Sequence, residues 1–254
     1  MPQSIDLNSD LGESFGQYRL GHDSDIMAYI SSANAACGFH AADPAVMRET
    51  VALARQAKVA VGAHVGYPDL VGFGRRHMAL TPTEIENDLI YQVGALEAFC
   101  RAEGVTLRHV KAHGALYNDS ARDEAVARAL VSGMKALKVD LLLFLPAQSP
   151  ALDLARQAGI RTVSEAFADR LYDDAGNLVS RSVPGSTFSD PEQAAAQALE
   201  IARNRRVKTQ SGKTIEIQAD SICVHGDSPK ALEIARTVHG WLREADIAIR
   251  APGA

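Results

Sequence analysis

The sequence has few cysteines and no long apolar run. Its 254 residues include only Cys37, Cys100 and Cys223, without a CxxC pair. Because an odd, scattered set of thiols does not form a disulfide framework, we expect a reducing compartment. No apolar run is long enough to span a bilayer, and the start, MPQSIDLNSDLGES, lacks the basic and apolar regions of a signal peptide. We therefore expect a soluble, cytoplasmic protein with no membrane segment.

A strong charge of one sign is also missing. The formal net charge is −5, and no basic run offers a footprint for phosphates, so nucleic acid is not an expected partner. SGKT at 211–214 resembles a phosphate-binding loop, but Val207 stands where that loop needs its first glycine. GFG at 72–74 is not a dinucleotide fingerprint, because His77 takes the place of the third glycine. HExxH and GxSxG are absent too.

What the chain does contain is a regular alternation of short apolar runs and helical patterns. Seven runs are expected to be strands: SIDLN, YISSANAA, VAVGAH, LRHVKAH, DLLLFLP, RTVSEAF and SICVHG. Five predicted helices begin with a capping residue followed by proline, at Asp43-Pro44, Thr81-Pro82, Ser149-Pro150, Asp190-Pro191 and Ser228-Pro229. About seven strand–helix units predict an α/β fold with a parallel sheet. The length suits a closed or nearly closed TIM-like barrel, with a doubly wound open sheet as the alternative.

Two further features complete the predicted organisation. The stretch VKTQSGKTIEIQA, from Val207, alternates around Ser211-Gly212 and predicts a small β-hairpin that decorates the barrel. No internal repeat or low-complexity segment divides the chain. We therefore expect one barrel domain over residues 1–254.

Polar residues of unusual type fall where the predicted strands end. In parallel barrels, the loops after the carboxyl ends of the strands carry the chemistry. In HVKAHGALYN, alternation directs Lys111 and His113 toward this mouth, whereas His109 is expected to face a helix or solvent. Arg75 lies in a basic, glycine-containing loop suited to a carboxylate or phosphate. The other candidates at strand ends are Asn8, Asp10, Glu13, Asn34, His40, His64, Glu165, Arg170, His225 and Asp227.

Carboxylates, imidazoles and an ammonium that converge on one mouth suit general acid–base catalysis. A lysine set among imidazoles and little water is expected to have a lowered pKa, which would make Lys111 a base or proton donor near neutral pH. Asp10, His40 and His64 also offer an Asp–His–His set for a divalent metal ion that activates water.

Each of these residues also has a structural interpretation. A single histidine at a strand end is often a hydrogen-bonded structural residue, and Asn8, Asp10 and Asn34 can be turn or cap residues. Glu165 and Arg170 can form a structural ion pair. The remaining histidines, His22, His77 and His239, lie in loop or helix patterns and are expected at the surface.

Six sequence blocks together resemble the LamB/YcsF family, the A subunits of ATP-dependent 5-oxoprolinase. They are DLNSDLGESFG, ANAACGFHAADP, GAHVGYPDLVGFGRR, HVKAHGALYN, EAFADRLYDDAGNLVSR and VHGDSP, and they extend from Asp6 to about Trp241. The resemblance implies a seven-stranded, distorted TIM-like (β/α) barrel of the glycoside hydrolase/deacetylase type. Ala42 stands where the family usually has glycine, and Val65 and Ala112 stand where it usually has proline.

The same resemblance implies a function and a set of partners. It implies hydrolysis of the cyclic amide 5-oxo-L-proline to L-glutamate, with ATP as co-substrate, Mg²⁺ for the ATP, and subunits B and C as partners. The alternatives are a stand-alone metal-dependent deacetylase-like hydrolase and a non-catalytic substrate-binding subunit.

The resemblance also suggests roles for the candidate residues. Asp10, Glu13, His40 and His64 would activate water or bind a metal ion. Lys111 and His113 would stabilise the oxyanion or protonate the leaving nitrogen. The remaining candidates form a catalytic group and a substrate-binding group. The catalytic group is Glu165 with an imidazole–carboxylate pair of His225 and Asp227, and the substrate-binding group is Asn8, Asn34, Arg75 and Arg170.

Overall fold

Seven parallel strands form a closed barrel in the computed structural model, which describes residues 4–253. The strands are β1 (Ser4–Leu11), β2 (Ser32–Ala36), β3 (Ala60–Val65), β4 (Leu107–Ala112), β5 (Leu142–Pro146), β6 (Thr162–Phe167) and β9 (Ser221–His225). The barrel closes because β1 pairs with β2 on one side and with β9 on the other. The predicted closed barrel is confirmed, and the open sheet is wrong. Residues 1–3 and 254 of the expected domain lie outside the described residues.

Helices pack around the barrel between successive strands. They are α1 (Asp23–Ile26), α2 (Pro44–Ala57), α3 (Pro82–Ala102), α4 (Gly114–Arg122), α5 (Glu124–Leu137), α6 (Pro150–Gln157), α7 (Pro191–Asn204) and α8 (Ala231–Glu244). Four of the five predicted proline starts are confirmed, and Thr81 forms the full capping box with Glu84. The predicted helix start at Ser228-Pro229 is wrong. The Ser228 carbonyl accepts a turn hydrogen bond from the Ala231 backbone N–H, and α8 begins only at Ala231. None of the helices in residues 4–253 combines the length and apolarity that a membrane crossing requires.

The predicted hairpin is also present. Strands β7 (Arg206–Lys208) and β8 (Thr214–Glu216) pair antiparallel in a small separate sheet. The turn between them contacts the long connection from β6 to α7, where Thr209 Oγ1 donates to Asp174 Oδ1 at 2.6 Å. A short strand that the sequence did not predict, β10 (Ala248–Ile249), pairs with the start of β1.

Side chains alternate between two environments along each barrel strand. On β1, Leu7 and Leu11 join the apolar core, whereas Asp6, Asn8 and Asp10 contact polar side chains of other strands inside the barrel. Near β5 and β6 the interior is apolar, because Leu142, Phe144 and Val163 form a small separate cluster there. Elsewhere the strands surround a polar interior that continues to the mouth at their carboxyl ends.

Candidate active site

Lys111 lies at the centre of the barrel, and 2% of the residue is exposed. Its ammonium lies 2.9 Å from Asp10 Oδ1 and 2.9 Å from Glu165 Oε1. It also contacts Cys223 Sγ at 3.1 Å. The alternation of β4 therefore directs Lys111 inward, as predicted, and the structural pairing of Glu165 with Arg170 is wrong.

The expected lowered pKa of Lys111 is wrong. Burial alone would lower it, but the nearby Asp10 and Glu165 carboxylates outweigh burial and hold the pKa well above its usual value. The Asp10 carboxyl is ionised for the matching reason. Burial would raise its pKa, but His64 and Lys111 hold it well below the usual value. The raised pKa favours the charged ammonium at this site over a neutral amine that could act as a base.

A layer of amides supports Asp10 and Lys111 from below. Asn34 Nδ2 donates to Asp10 Oδ1 at 2.9 Å and to Asn8 Oδ1 at 2.7 Å. Asn8 Nδ2 in turn donates to Glu165 Oε1 at 2.8 Å. Asn8 and Asn34 are buried beneath Lys111 and are absent from the wall of the cavity above it. Their hydrogen bonds orient the carboxylates.

His109 belongs to the same layer, so its expected position toward helix or solvent is wrong. Its Nε2 lies 2.7 Å from Asn34 Oδ1, an acceptor, so this nitrogen carries the proton. The ring packs on Phe144 with centroids 4.4 Å apart. Burial and the charge of Lys111 lower the pKa of His109 to about 3, so it is neutral. A neutral, hydrogen-bonded imidazole is accepted in this interior.

Above Lys111, Glu13, His40, His64 and His113 form a buried cluster whose ligand atoms all lie within 4.8 Å of one another. His64 Nδ1 faces the Lys111 carbonyl at 3.2 Å, and His113 Nε2 faces the Phe73 carbonyl at 2.8 Å. Because carbonyls only accept, these two nitrogens carry protons. The lone pairs of His64 Nε2 and His113 Nδ1 then face each other across 3.0 Å, which requires a proton or a cation between them.

The rest of this cluster also fits a metal ion. His40 is buried, and neither of its ring nitrogens has a hydrogen-bond partner among the described residues. Burial and the neighbouring imidazoles hold the pKa of His40 well below its usual value, as they do for His113, which leaves neutral rings that can act as ligands. Burial, with the charges of Asp10 and Asp227, raises the pKa of Glu13, which a bound cation would reverse.

The ligand set that the structure favours differs from the predicted one. The sequence suggested Asp10, His40 and His64, and two of these belong to the cluster. Asp10 does not, because one of its oxygens faces Lys111 at 2.9 Å and the other faces His64 Nε2 at 3.3 Å. Glu13 and His113 take its place. Since His64 is shared, the cluster lies directly beside the Lys111 group.

The expected pair of His225 and Asp227 is wrong. His225 Nδ1 lies 2.9 Å from both oxygens of Asp169, whereas Asp227 pairs with Arg75 at 2.5 Å. Despite its burial, Asp169 has a lowered pKa because His225 lies against it. Asp169 thus orients the imidazole of His225, and its other nitrogen, Nε2, is directed away from that carboxylate.

Several of the residues described above border one opening, here called the main cavity, with a volume of about 220 Å³. Its wall includes the predicted residues Asp10, His64, Arg75, Lys111, His113, Arg170 and His225. Arg170 is less free than expected, because its guanidinium donates to the Val179 carbonyl at 2.6 Å. Arg122 and Arg181, which the sequence did not single out, add positive charge to the rim. The main cavity can therefore bind an anion above a buried acid–base group.

Sequence signals existed for some of the missed residues. Cys223 precedes His225 by two positions on β9, so alternation places both on the inner face. The sequence does place Asp169 with Glu165 and Arg170 among the polar residues at the end of the sixth strand, but it gave Asp169 no role. Arg122 and Arg181 had no such signal, because each lies far along the chain from the nearest strand end. A closed parallel barrel with buried ionisable groups at its carboxyl end is the architecture of barrel enzymes.

Within that class, the chain belongs to the LamB/YcsF family, whose sequence model matches residues 5–254. The A subunit of 5-oxoprolinase from Pyrococcus horikoshii is 49% identical over 245 residues, covering 96% of each chain. The protein of that name from Symbiobacterium thermophilum is 49% identical over 252 residues, covering 99% of this chain and 97% of its own. The crystal structure of the lactam utilization protein from Thermus thermophilus has a TM-score of 0.92 at 47% identity, with 98% and 99% coverage.

Proposed function

We propose that this chain hydrolyses the ring amide of 5-oxo-L-proline to give L-glutamate, in a reaction that consumes ATP. It would act as the single-domain, cytoplasmic A component of a complex with B and C subunits. The names and near-half identity of its relatives support the substrate and the assembly. The observation that carries the chemistry is the position of the Lys111 ammonium, which lies 2.9 Å from Asp10 and 2.9 Å from Glu165 at the base of an arginine-rimmed cavity.

The reaction needs activation because a five-membered lactam is a stable amide. Phosphoryl transfer from ATP to the amide oxygen makes the ring carbon a better electrophile and leaves ADP. Water then bonds through its oxygen to that carbon, and the carbon–nitrogen bond breaks as a proton reaches the nitrogen, which leaves an acyl phosphate. A second water hydrolyses the acyl phosphate, so that phosphate leaves and the new carboxylate forms. The sequence shows no recognised nucleotide motif, so we assign ATP and its Mg²⁺ to the partner subunits and the hydrolytic step to this barrel.

Lys111 stabilises negative charge in this proposal. Its raised pKa keeps the ammonium charged, so it acts on the oxygen that becomes anionic as water adds. Asp10 and Glu165 hold the ammonium in place, and the amides of Asn8 and Asn34 orient those two carboxylates. The four groups therefore act together with Lys111 as one preorganised unit.

His225 provides the proton transfer. Asp169 fixes its Nδ1, which leaves Nε2 for the main cavity that His225 borders. In this position the imidazole takes a proton from the attacking water and returns one to the departing nitrogen. Asp227 contributes indirectly, because it orients Arg75 at the rim.

The cluster of Glu13, His40, His64 and His113 would hold a divalent transition metal ion such as Zn²⁺. When bound, such an ion supplies Lewis-acid activation of water. The backbone carbonyls of Lys111 and Phe73 orient two of the imidazoles for this purpose.

The positively charged rim selects the substrate's carboxylate. Arg75 lines the main cavity, and Asp227 holds its guanidinium at 2.5 Å, while Arg181 approaches the Asp227 carboxylate at 3.8 Å. Arg170 has a similar location, but its bond to the Val179 carbonyl gives it a mainly structural role. We therefore assign binding of the substrate's carboxylate to Arg75 and Arg181.

Reconstitution with the B and C subunits tests the proposal. Purified B and C are mixed with or without this chain, and glutamate formed from 5-oxo-L-proline is measured with and without ATP. We expect glutamate only when all three chains and ATP are present. Full activity of B and C alone would contradict a hydrolytic role. Release of acetate from an acetylated sugar by this chain alone would favour the deacetylase alternative.

A further inference from the structure

A second cavity of about 160 Å³, here called the side cavity, lies beside the main cavity. The two share parts of their walls, contributed by Tyr117, Asn118, Arg122, Phe167 and Leu178. The rest of the side cavity is formed by the turn after β5 and by the connection that follows β6. The reaction proposed above assigns no group of the substrate to the side cavity.

Three residues that line the side cavity each have a buried side-chain oxygen without a hydrogen-bond partner among the described residues: Glu165 Oε2, Tyr117 Oη and Ser149 Oγ. The residues are 1%, 4% and 9% exposed, respectively. Buried polar atoms are nearly always paired, so three together indicate a polar ligand. Ser149 precedes α6 at the N-cap position without bonding to the helix, so its hydroxyl is available. Burial, the Glu165 charge and a side-chain hydrogen bond to Glu165 raise the pKa of the Tyr117 phenol, so the phenol and the carboxylate lie close together. This contact falls outside strict hydrogen-bond geometry, so both oxygens keep lone pairs for a further donor.

The chemistry of these atoms favours a positively charged donor. A carboxylate oxygen only accepts hydrogen bonds, and both hydroxyls can accept. Tyr117, Phe167 and Tyr172 supply aromatic surface to the same wall. Carboxylates and aromatic rings together are the usual surroundings of a bound ammonium group.

The charges around Glu165 favour the same kind of ligand. Glu165 Oε1 already accepts from Lys111 at 2.9 Å and from Asn8 at 2.8 Å. Lys111, however, is shared with Asp10 at 2.9 Å, so one ammonium faces two carboxylates. The Glu165 carboxylate, which belongs to a residue lining the side cavity, is therefore only partly balanced by Lys111.

We propose that the side cavity binds a primary ammonium group through Glu165 Oε2, Tyr117 Oη and Ser149 Oγ. This inference rests on the proposed function, because ring opening converts the neutral lactam nitrogen into an amine that takes up a proton. The side cavity receives that new ammonium while the carboxylates stay in the main cavity. Separating the nitrogen from the new carboxyl group opposes ring closure and distinguishes product from lactam.

Calorimetric titration of the full chain with L-glutamate and glutarate tests this inference. Glutarate is the same dicarboxylate without the amine, so the ratio of the two affinities isolates the ammonium. We expect glutamate to bind about tenfold or more tightly, as loss of a charged hydrogen-bonded group implies. Ser149→Ala and Tyr117→Phe should reduce that ratio and leave glutarate binding unchanged. Ser180→Ala is the matched control, because Ser180 is exposed and borders only the main cavity.

Repeating the titrations in sodium, potassium and ammonium chloride distinguishes binding of the glutamate ammonium group from binding of a free cation. If ammonium or potassium weakens binding of glutamate but not of glutarate, the side cavity also takes free cations, which supports a cation site. Equal affinities for the two dicarboxylates, absence of glutamate binding, or a preference that both variants retain would overturn the inference. If the complex hydrolyses 5-oxo-L-proline but this chain does not prefer glutamate to glutarate, only the inference is refuted. If the chain prefers glutamate but the complex does not hydrolyse 5-oxo-L-proline, only the proposed function is refuted.

Discussion

The His109 ring occupies the space beside Gly62 inside the barrel, so a Cβ atom on residue 62 would lie 2.0 Å from His109 Nε2. A shift in the pairing of β3 with β4 brings the two residues opposite each other. That nitrogen bonds to Asn34, which bonds to Asp10 at 2.9 Å. The missing side chain at position 62 therefore makes room for a hydrogen-bond chain that ends at the proposed catalytic carboxylate.

Replacing Gly62 with alanine should destabilise the protein by about 1–3 kcal/mol, the usual range for overpacking a tight interior. The His109 ring is enclosed by Asn34 and Phe144, so it cannot move aside without losing a contact. Urea unfolding measures the change. Gly94→Ala on α3 is the matched control, because a Cβ there meets nothing within 4 Å. We expect the control to gain up to about 1 kcal/mol. Equal stability of the Gly62→Ala and unmodified proteins would contradict this packing.

Asp6 should make stability depend on pH in an unusual direction. Burial raises its pKa to about 6 from 3.8, although hydroxyls of Ser221, Ser31 and Ser32 partly offset burial. Folding therefore favours the protonated carboxyl. This contribution is complete below about pH 4 and is lost as pH rises through about 6. Asp6→Asn stays neutral, so it should gain about 3 kcal/mol relative to the unmodified protein between those limits.

Unfolding titrations of both proteins at several pH values between these limits provide the measurement. Asp43→Asn is a suitable comparison, because Asp43 is a helix cap whose pKa is lowered, chiefly by the Gly16 backbone. Because the contribution of Asp43 is complete above its ordinary pKa of 3.8 and is lost only below it, the stability of Asp43→Asn relative to the unmodified protein should stay nearly constant between these limits. A difference between Asp6→Asn and the unmodified protein that stays constant with pH would show that Asp6 is ionised throughout.

The histidine cluster should bind a transition metal ion. Cobalt(II) added to metal-free protein should give the visible absorption of a low-symmetry site, saturating at about one ion per chain. His40→Ala should abolish this spectrum, since neither ring nitrogen of His40 has a hydrogen-bond partner to lose among the described residues. His22→Ala, at an exposed position, is the control. An unchanged spectrum in His40→Ala would place the ion elsewhere.

The fold was predictable because its signals are local. Each of the seven barrel strands was predicted from a short apolar run, and four proline starts from a capping residue next to proline. The helix start predicted at Ser228-Pro229 was wrong because the same dipeptide can form a turn before a helix. Ala42, where the family resemblance implies glycine, has a strained backbone conformation. It adopts a left-handed φ of 69°, which an alanine rarely does.

The location of the site was predictable, but its pairings were not. Parallel topology brings the strand ends together whatever their side chains do. Whether His225 meets Asp169 or Asp227 depends on side-chain directions across the barrel, which sequence spacing does not contain. The raised pKa of Lys111 likewise depends on Asp10 and Glu165, which belong to other strands. His109 was misassigned because the sequence does not show the space at Gly62.

ATP-dependent glutamate formation by the complex carrying Lys111→Met is the most direct test of the account. The variant must first be shown to fold and to assemble with its partners, because Asp10 and Glu165 lose their counterion. Lys208→Met, at an exposed position on β7, is the control and should retain full activity. We expect Lys111→Met to lower kcat about 100-fold or more, the usual loss when an oxyanion contact is removed. A folded, assembled Lys111→Met complex with kcat within about twofold of the control would contradict the central role of Lys111.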